Sequence, residues 1–310
     1  LFINWNVNAQ TIDFLPKGVF LFSYGIESST SDQMLYSGMS TESIVKNLLN
    51  RENVDSSEVS GSIDYTDIIQ LVTFQYGLFE NINLGITIPS VIRKRNSSLS
   101  SSTVEGINFS GKYQSAETNG IGDIEIWGNW RLVYSDSVDF RMGVSIIAGN
   151  APYNYDSSTK MPLGDGAPGM GFFIRCIIYS QIDEYITDIR FKVTSPMDST
   201  VTDSSGESLE MRRGNSLEGY IMLSKNIEAW NFGGGLNGIT KSQAMIGDEG
   251  QSDGYVNYSL TLFAGYGNLN QLEQGPIAIP WNIKLSLNSV FAGNNTLQKR
   301  AIGLTGYLYF

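Results

Sequence analysis

The sequence predicts an all-β protein: a closed antiparallel transmembrane β-barrel of about 12 strands, with short periplasmic turns and longer extracellular loops. Three observations predict it. Polar and apolar residues alternate with a period of two in roughly twelve segments, the connections between them alternate short and long, and the segment Ala301–Phe310 puts Ile302, Leu304, Leu308 and Phe310 on one side, as a strand that closes a barrel onto its first strand would.

In order, the extended segments are Lys17–Ile26, Ser62–Tyr76, Asn83–Arg93, Asp123–Tyr134, Asp139–Gly149, Gly169–Tyr179, Asp183–Thr194, Ser216–Ser224, Ala229–Thr240, Gly254–Gly267, Ile279–Phe291 and Lys299–Phe310. An even number suits an antiparallel barrel with both termini on one side. Short connections fall at Gly77–Ile82, Ser135–Val138, Ser180–Ile182 and Lys225–Glu228, where a few polar residues suffice to reverse the chain, and a longer one at Asn268–Ala278 contains Gly275-Pro276. Long polar segments fill the other end at Glu27–Gly61, Lys94–Gly122, Asn150–Pro168, Ser195–Asn215 and Lys241–Asp253. Ala292–Gln298 is short and carries Gly293-Asn294-Asn295, a tight reversal. A soluble sandwich has no reason to sort its loops by length onto one end, and an outer-membrane barrel does. The domain reading is an N-terminal segment, 1–16, and a single barrel, 17–310. Leu1–Gln10 reads either as the tail of a signal peptide or as a mature terminus.

Strand chemistry fits a spanning wall. In Asp123–Leu132, acidic, amide and guanidinium groups share one face, and Ile124, Ile126, Trp130 and Leu132 share the other. Phe140, Met142, Val144 and Ile146 oppose Arg141, Gly143 and Ser145, while Trp281, Ile283, Leu285 and Leu287 oppose Asn282, Lys284, Ser286 and Asn288. Polarity alone does not separate a sandwich, with its wet face outside, from a membrane barrel, with its wet face inside. Length favours the barrel, because many runs reach the nine to eleven residues that a tilted spanning strand needs. Phe79, Trp230, Trp281, Tyr307 and Tyr309 sit near strand ends, compatible with interfacial girdles or with the general preference of aromatics for strands. In the first long connection, Ser40–Leu49 places Ile44 and Val45 against Leu48 and Leu49 at helical spacing behind candidate caps, predicting a short loop helix over the mouth or in the lumen.

Composition excludes several function classes. Lysine and arginine total 20 against 31 acidic residues, a net charge of -11, so no basic stripe exists to neutralise nucleic-acid phosphates. With 41% hydrophobic residues and 33 glycines the chain is not disordered, and no run of eighteen apolar residues marks a spanning helix. The chain contains no histidine, and Cys176 is its only cysteine. Intramolecular disulfides, cysteine-rich zinc sites and an imidazole-based relay are therefore all excluded, and the reading is of a non-enzyme with no cofactor and no metal. Asp198 with Asp203 or Glu207 could hold calcium, although loop carboxylates ordinarily face water.

Two stretches carry a family resemblance. Leu71–Pro89 resembles the strand, turn and strand pattern of the outer-membrane family named for the meta-pathway of phenol degradation, and Gly120–Leu132 is similar to the stretch of that family in which a glycine-glycine-aspartate start enters a strand. The resemblance implies a mid-sized barrel of the bacterial outer membrane that takes up small aromatic or apolar compounds, with outer-membrane lipid and such a solute as its partners.

If Ile124 and Trp130 face lipid, the lumen receives Asp123, Glu125, Asn129, Arg131, Arg141, Arg175, Glu184, Asp188, Arg190, Lys192 and Lys284, mixed signs that predict an ion-paired lumen. Gly233 and Gly235, flanked by Phe232 and Leu236, leave space or permit strong curvature, and curvature is the safer inference. The function expected is passive passage of a small solute. The alternative is a structural or docking protein that binds a partner protein through its extracellular loops, for which the first connection and Ser97–Ser102 offer surface.

Overall fold

The computed structural model describes residues 14–51, 59–100, 103–104, 107–151, 161, 163–164, 166–180, 185–202, 208–246, 249–252, 254–267 and 280–310. Twelve strands build the wall: β1 (Phe20–Ser31), β2 (Ile63–Phe79), β3 (Ile82–Ser97), β4 (Glu125–Tyr134), β5 (Val138–Ala148), β6 (Pro168–Tyr179), β7 (Tyr185–Pro196), β8 (Ser216–Ile227), β9 (Trp230–Lys241), β10 (Tyr255–Gly267), β11 (Trp281–Asn294) and β12 (Arg300–Tyr309). Each pairs antiparallel with the next, and β12 pairs with β1 from Leu21↔Tyr309 to Thr30↔Arg300, so the twelve strands close on themselves. Phe20 and Phe310 seal the seam by exchanging two backbone hydrogen bonds, at 2.9 and 2.8 Å.

Alternation sorts side chains between two environments. Ile302, Leu304, Leu308 and Phe310 point outward and are exposed, whereas Tyr307 and Tyr309 point inward and are buried. The same split separates Leu285 and Leu287 from Lys284, and Trp130 and Leu132 from Asn129. An outer surface of half-exposed Ile, Leu, Val and Phe around the whole ring is costly in water and favourable in hydrocarbon. Around the rim with the short turns the outer face becomes aromatic: Trp230 packs on Tyr266 at 4.8 Å between ring centroids, Tyr266 on Trp281 at 5.8 Å, and Phe20 on Tyr76 at 6.1 Å. Amphipathic rings are favoured at the headgroup level, and this belt marks the periplasmic boundary.

Several strands run further than the alternation predicts. β1 continues to Ser31, β3 to Ser97 and β8 to Ile227, because paired backbone remains the cheapest way to satisfy N–H and C=O groups beyond the hydrocarbon. The wall is also interrupted once. Ala116–Ile121 pairs with the outer half of β3 and β4 pairs with its inner half, with Gly122–Ile124 forming a break between them.

Among the described residues, parts of the extracellular connections pair into small sheets of their own. The expected loop helix is α1 (Ile44–Arg51), capped by the Ser43 hydroxyl, which accepts the Lys46 N–H at 3.2 Å. It buries Ile44, Val45 and Leu49 against Met34, Ile63 and Leu297, so it belongs to a small core of its own in the extracellular layer. Asn295 adopts a positive φ of 52° in the expected reversal before β12.

Candidate functional site

The inner face of the barrel is the site, and the short turns on one side and long connections on the other fix its two ends. Glu125, Asn129, Arg131, Arg141, Arg175, Asp188, Arg190, Lys192 and Lys284 all occupy inward positions of their strands. Glu184 lies outside the described residues, as do Asp203 and Glu207. Asp123 has a different position from its neighbours. It sits in the break before β4, where its carboxylate accepts the Ala151 N–H at 2.9 Å and the Gly166 N–H at 3.0 Å.

Two pieces of chain enter the lumen. From the extracellular side, the described residues of the connection between β5 and β6 lie against the break. Asn150 accepts the Ile124 N–H at 2.8 Å and donates to the Gly122 carbonyl at 2.9 Å, and Leu163 and Ala151 pack on Ile69 and Val91 of the inner wall. From the periplasmic side, Phe14 and Leu15 tuck inside. With its amide oxygen as acceptor, Asn83 takes the Leu15 N–H at 2.8 Å and donates to the Leu15 carbonyl at 3.1 Å. Leu15 joins Leu21, Tyr307 and Tyr309, and the Phe14 ring lies under Arg131, 4.1 Å from its guanidinium carbon, and Arg141, at 5.2 Å.

Ion pairs occupy three heights. Nearest the periplasm, Arg141 grips Asp139 through two hydrogen bonds, 2.9 and 2.5 Å, and Arg131 reaches the same carboxylate at 2.9 Å. Arg175 holds Asp188 in the same two-pronged way, at 2.8 and 2.5 Å, while the Tyr220 hydroxyl donates to Asp188 at 3.1 Å. Higher up, Lys192 meets Glu125 at 2.7 Å. Towards the outside, Arg93 and Lys299 share Asp67 at 2.9 and 2.6 Å. Bidentate guanidinium–carboxylate geometry is the strong form of such pairs; Arg175–Asp188 braces β6 against β7, whereas Arg141–Asp139 lies within β5 and Arg131 supplies the link across to β4.

Sequence reasoning missed the aromatic content of this face. Trp127, Phe173 and Phe263 point inward, and each lies opposite a glycine on the adjacent strand: Gly85, Gly143 and Gly233. A Cβ at Gly85 would come within 2.3 Å of the Trp127 ring, at Gly143 within 2.2 Å of Phe173, and at Gly233 within 2.4 Å of Phe263. Gly233 therefore gives room to a ring, the space-leaving one of the two uses the sequence offers. Cations lie over two of the rings, Arg190 4.8 Å from the Phe173 centroid and Lys284 3.8 Å from that of Phe263.

A closed twelve-stranded barrel with an apolar exterior, an aromatic periplasmic rim and a polar interior defines the class: a β-barrel of the bacterial outer membrane. Among solved structures, the chain is similar to the COG4313 outer membrane channel from Pseudomonas putida F1, at 15% identity over 98% of this chain and 100% of that one, with a TM-score of 0.72. Weaker similarity extends to the translocator domain of the autotransporter NalP from Neisseria meningitidis (10% identity, 96% and 91% of the two chains, TM-score 0.49) and to the Ralstonia pickettii toluene transporter TbuX (9%, 95% and 90%, 0.42). At these identities the likeness concerns the fold. No family model and no curated protein matches the sequence.

Proposed function

We propose that the protein is an outer-membrane channel or transporter for small aromatic or apolar compounds. The observation that carries this reading is the pairing of two chain inserts with an aromatic inner wall. Phe14 and Leu15 narrow the periplasmic half and Leu163 enters the extracellular half, while Trp127, Phe173 and Phe263 set rings among the charged groups of the inner wall. Polar groups around apolar walls suit a solute that is apolar in part, because Asp139, Asp188 and Glu125 each have a cation and Arg190 and Lys284 a ring to lie against. The likeness to an outer-membrane channel supports the same reading.

Uptake of benzyl alcohol into liposomes containing the refolded full chain tests it. Wild-type protein accelerates uptake over empty liposomes, and Phe14→Ala, which removes the ring beneath Arg131 and Arg141, raises the rate further with heat-modifiable migration unchanged. No uptake by either protein would favour the docking alternative, in which the extracellular loops carry the function.

A further inference from the structure

Strand register brings four arginines from four consecutive strands into one row. Arg131 of β4 stands opposite Arg141 of β5, Arg141 opposite Arg175 of β6, and Arg175 opposite Arg190 of β7, with Tyr220 of β8 next in line. At about 4.8 Å between strands the row covers roughly 14 Å of inner wall. Like charges directly across a strand pair are destabilising, so three such contacts in succession are not what stability alone would select.

Among the described residues, two carboxylates grip this row from one step nearer the periplasm, and the carboxylate of Glu125 lies within electrostatic reach of Arg190 from above. Asp139 takes both Arg131 and Arg141, and Asp188 takes Arg175. Arg190 makes no ion pair or hydrogen bond among the described residues: it lies over the Phe173 ring, and its buried Nε lacks a partner. In the row above, Lys192 is held by Glu125 and stands opposite Glu218. In a chain of net charge -11, the row sets four guanidinium groups against the two carboxylates that grip it, while Glu125 above is held by Lys192.

We propose that the arginine row binds anions and that the solute it takes is a small organic carboxylate, seated at the Arg175–Arg190 end. Phe14 covers the other end of the row, over Arg131 and Arg141. Arg141 and Arg175 each engage a carboxylate through a two-pronged fork, and Arg190 is a further fork in the same row without one. Beside it, Tyr220, Met222 and Phe263 form a buried cluster on the next strands, against which the apolar part of such a solute rests. The inference rests on the channel reading, narrowing its solute from an apolar compound to an apolar compound bearing a carboxylate.

Equilibrium dialysis of labelled benzoate and labelled benzyl alcohol against the detergent-solubilised full chain tests it. Benzoate binds saturably, Arg190→Gln raises its Kd about tenfold or more, as loss of a charged hydrogen bond requires, and benzyl alcohol binding is unchanged. Lys94→Gln, on the outer face and paired with Glu117, leaves both unchanged. Should Arg190→Gln lose heat-modifiable migration, Arg190→Lys, which keeps the charge but not the fork, carries the comparison and also raises the benzoate Kd. Absence of saturable benzoate binding, or equal benzoate affinity in the wild type and the Arg190 variant, overturns the proposal. Displacement of benzoate by inorganic phosphate at lower concentration than by acetate overturns the carboxylate assignment. Benzyl alcohol flux into liposomes without benzoate binding sinks this inference and leaves the channel standing, whereas benzoate binding without any flux sinks the channel.

Discussion

Leu285 offers the sharpest test of the membrane placement. It points outward from β11, four positions above Trp281 in the periplasmic aromatic belt, and Phe291 points outward ten positions above the same residue. At about 3.4 Å per residue and a tilt near 40°, Leu285 stands about 10 Å above the belt and Phe291 about 26 Å. With an apolar band about 25 Å tall, Leu285 lies near the midplane and Phe291 at the far interface. Leu285→Arg should therefore cost about 2–4 kcal/mol, and Phe291→Arg about 0–1 kcal/mol, because an arginine at the interface reaches headgroups and one at the midplane must drag water or thin the bilayer. Reversible denaturant unfolding in phospholipid vesicles, followed by tryptophan fluorescence, gives both numbers. Equal costs at the two positions, or a larger cost at Phe291, would refute the assignment of this face to lipid or its height along β11.

Two further outcomes follow from the interior. Gly85→Ala forces the Trp127 ring from its seat and should cost about 1–3 kcal/mol, with Trp127→Leu relieving most of that cost in the double variant; simple additivity of the two changes, measured by the same unfolding assay, would contradict the contact. Asp123→Ala frees the Ala151 and Gly166 N–H groups and loosens the inserted connection, which should raise benzyl alcohol flux while the barrel still migrates as folded; an unchanged rate would mean that this connection does not restrict the path.

Much of the wall was legible in the chain because a strand in a barrel meets lipid on one side and lumen on the other, and a period of two records that contrast residue by residue. The split between Ile302 or Leu304 and Tyr307 or Tyr309 follows from it. Trp127 escaped notice because a large aromatic ring reads as lipid-facing, and only the glycine opposite it on β3 shows that room was made for it inside. Asp123 carries the right polarity for a lumen residue, but its role as a clamp on Ala151 and Gly166 depends on a break in the wall that no local pattern announces. The inward course of Leu163 was hidden for a similar reason: a long polar connection looks the same whether it projects from the barrel or folds into it.

By itself the sequence determined that the chain forms amphipathic strands, how the long connections divide from the short ones, and which acid–base chemistries a chain without histidine lacks. Those properties are written in neighbouring residues and in composition. Only the tertiary structure decided that the wet faces turn inward, since closure of β12 onto β1 is what separates a barrel from a sandwich of the same alternating strands. It also decided that Arg131, Arg141, Arg175 and Arg190 share one height. That alignment depends on the register across three strand pairs and on the irregularity between Phe140 and Arg141, and a shift of two residues in any one pair would keep every side chain on its face and still dissolve the row.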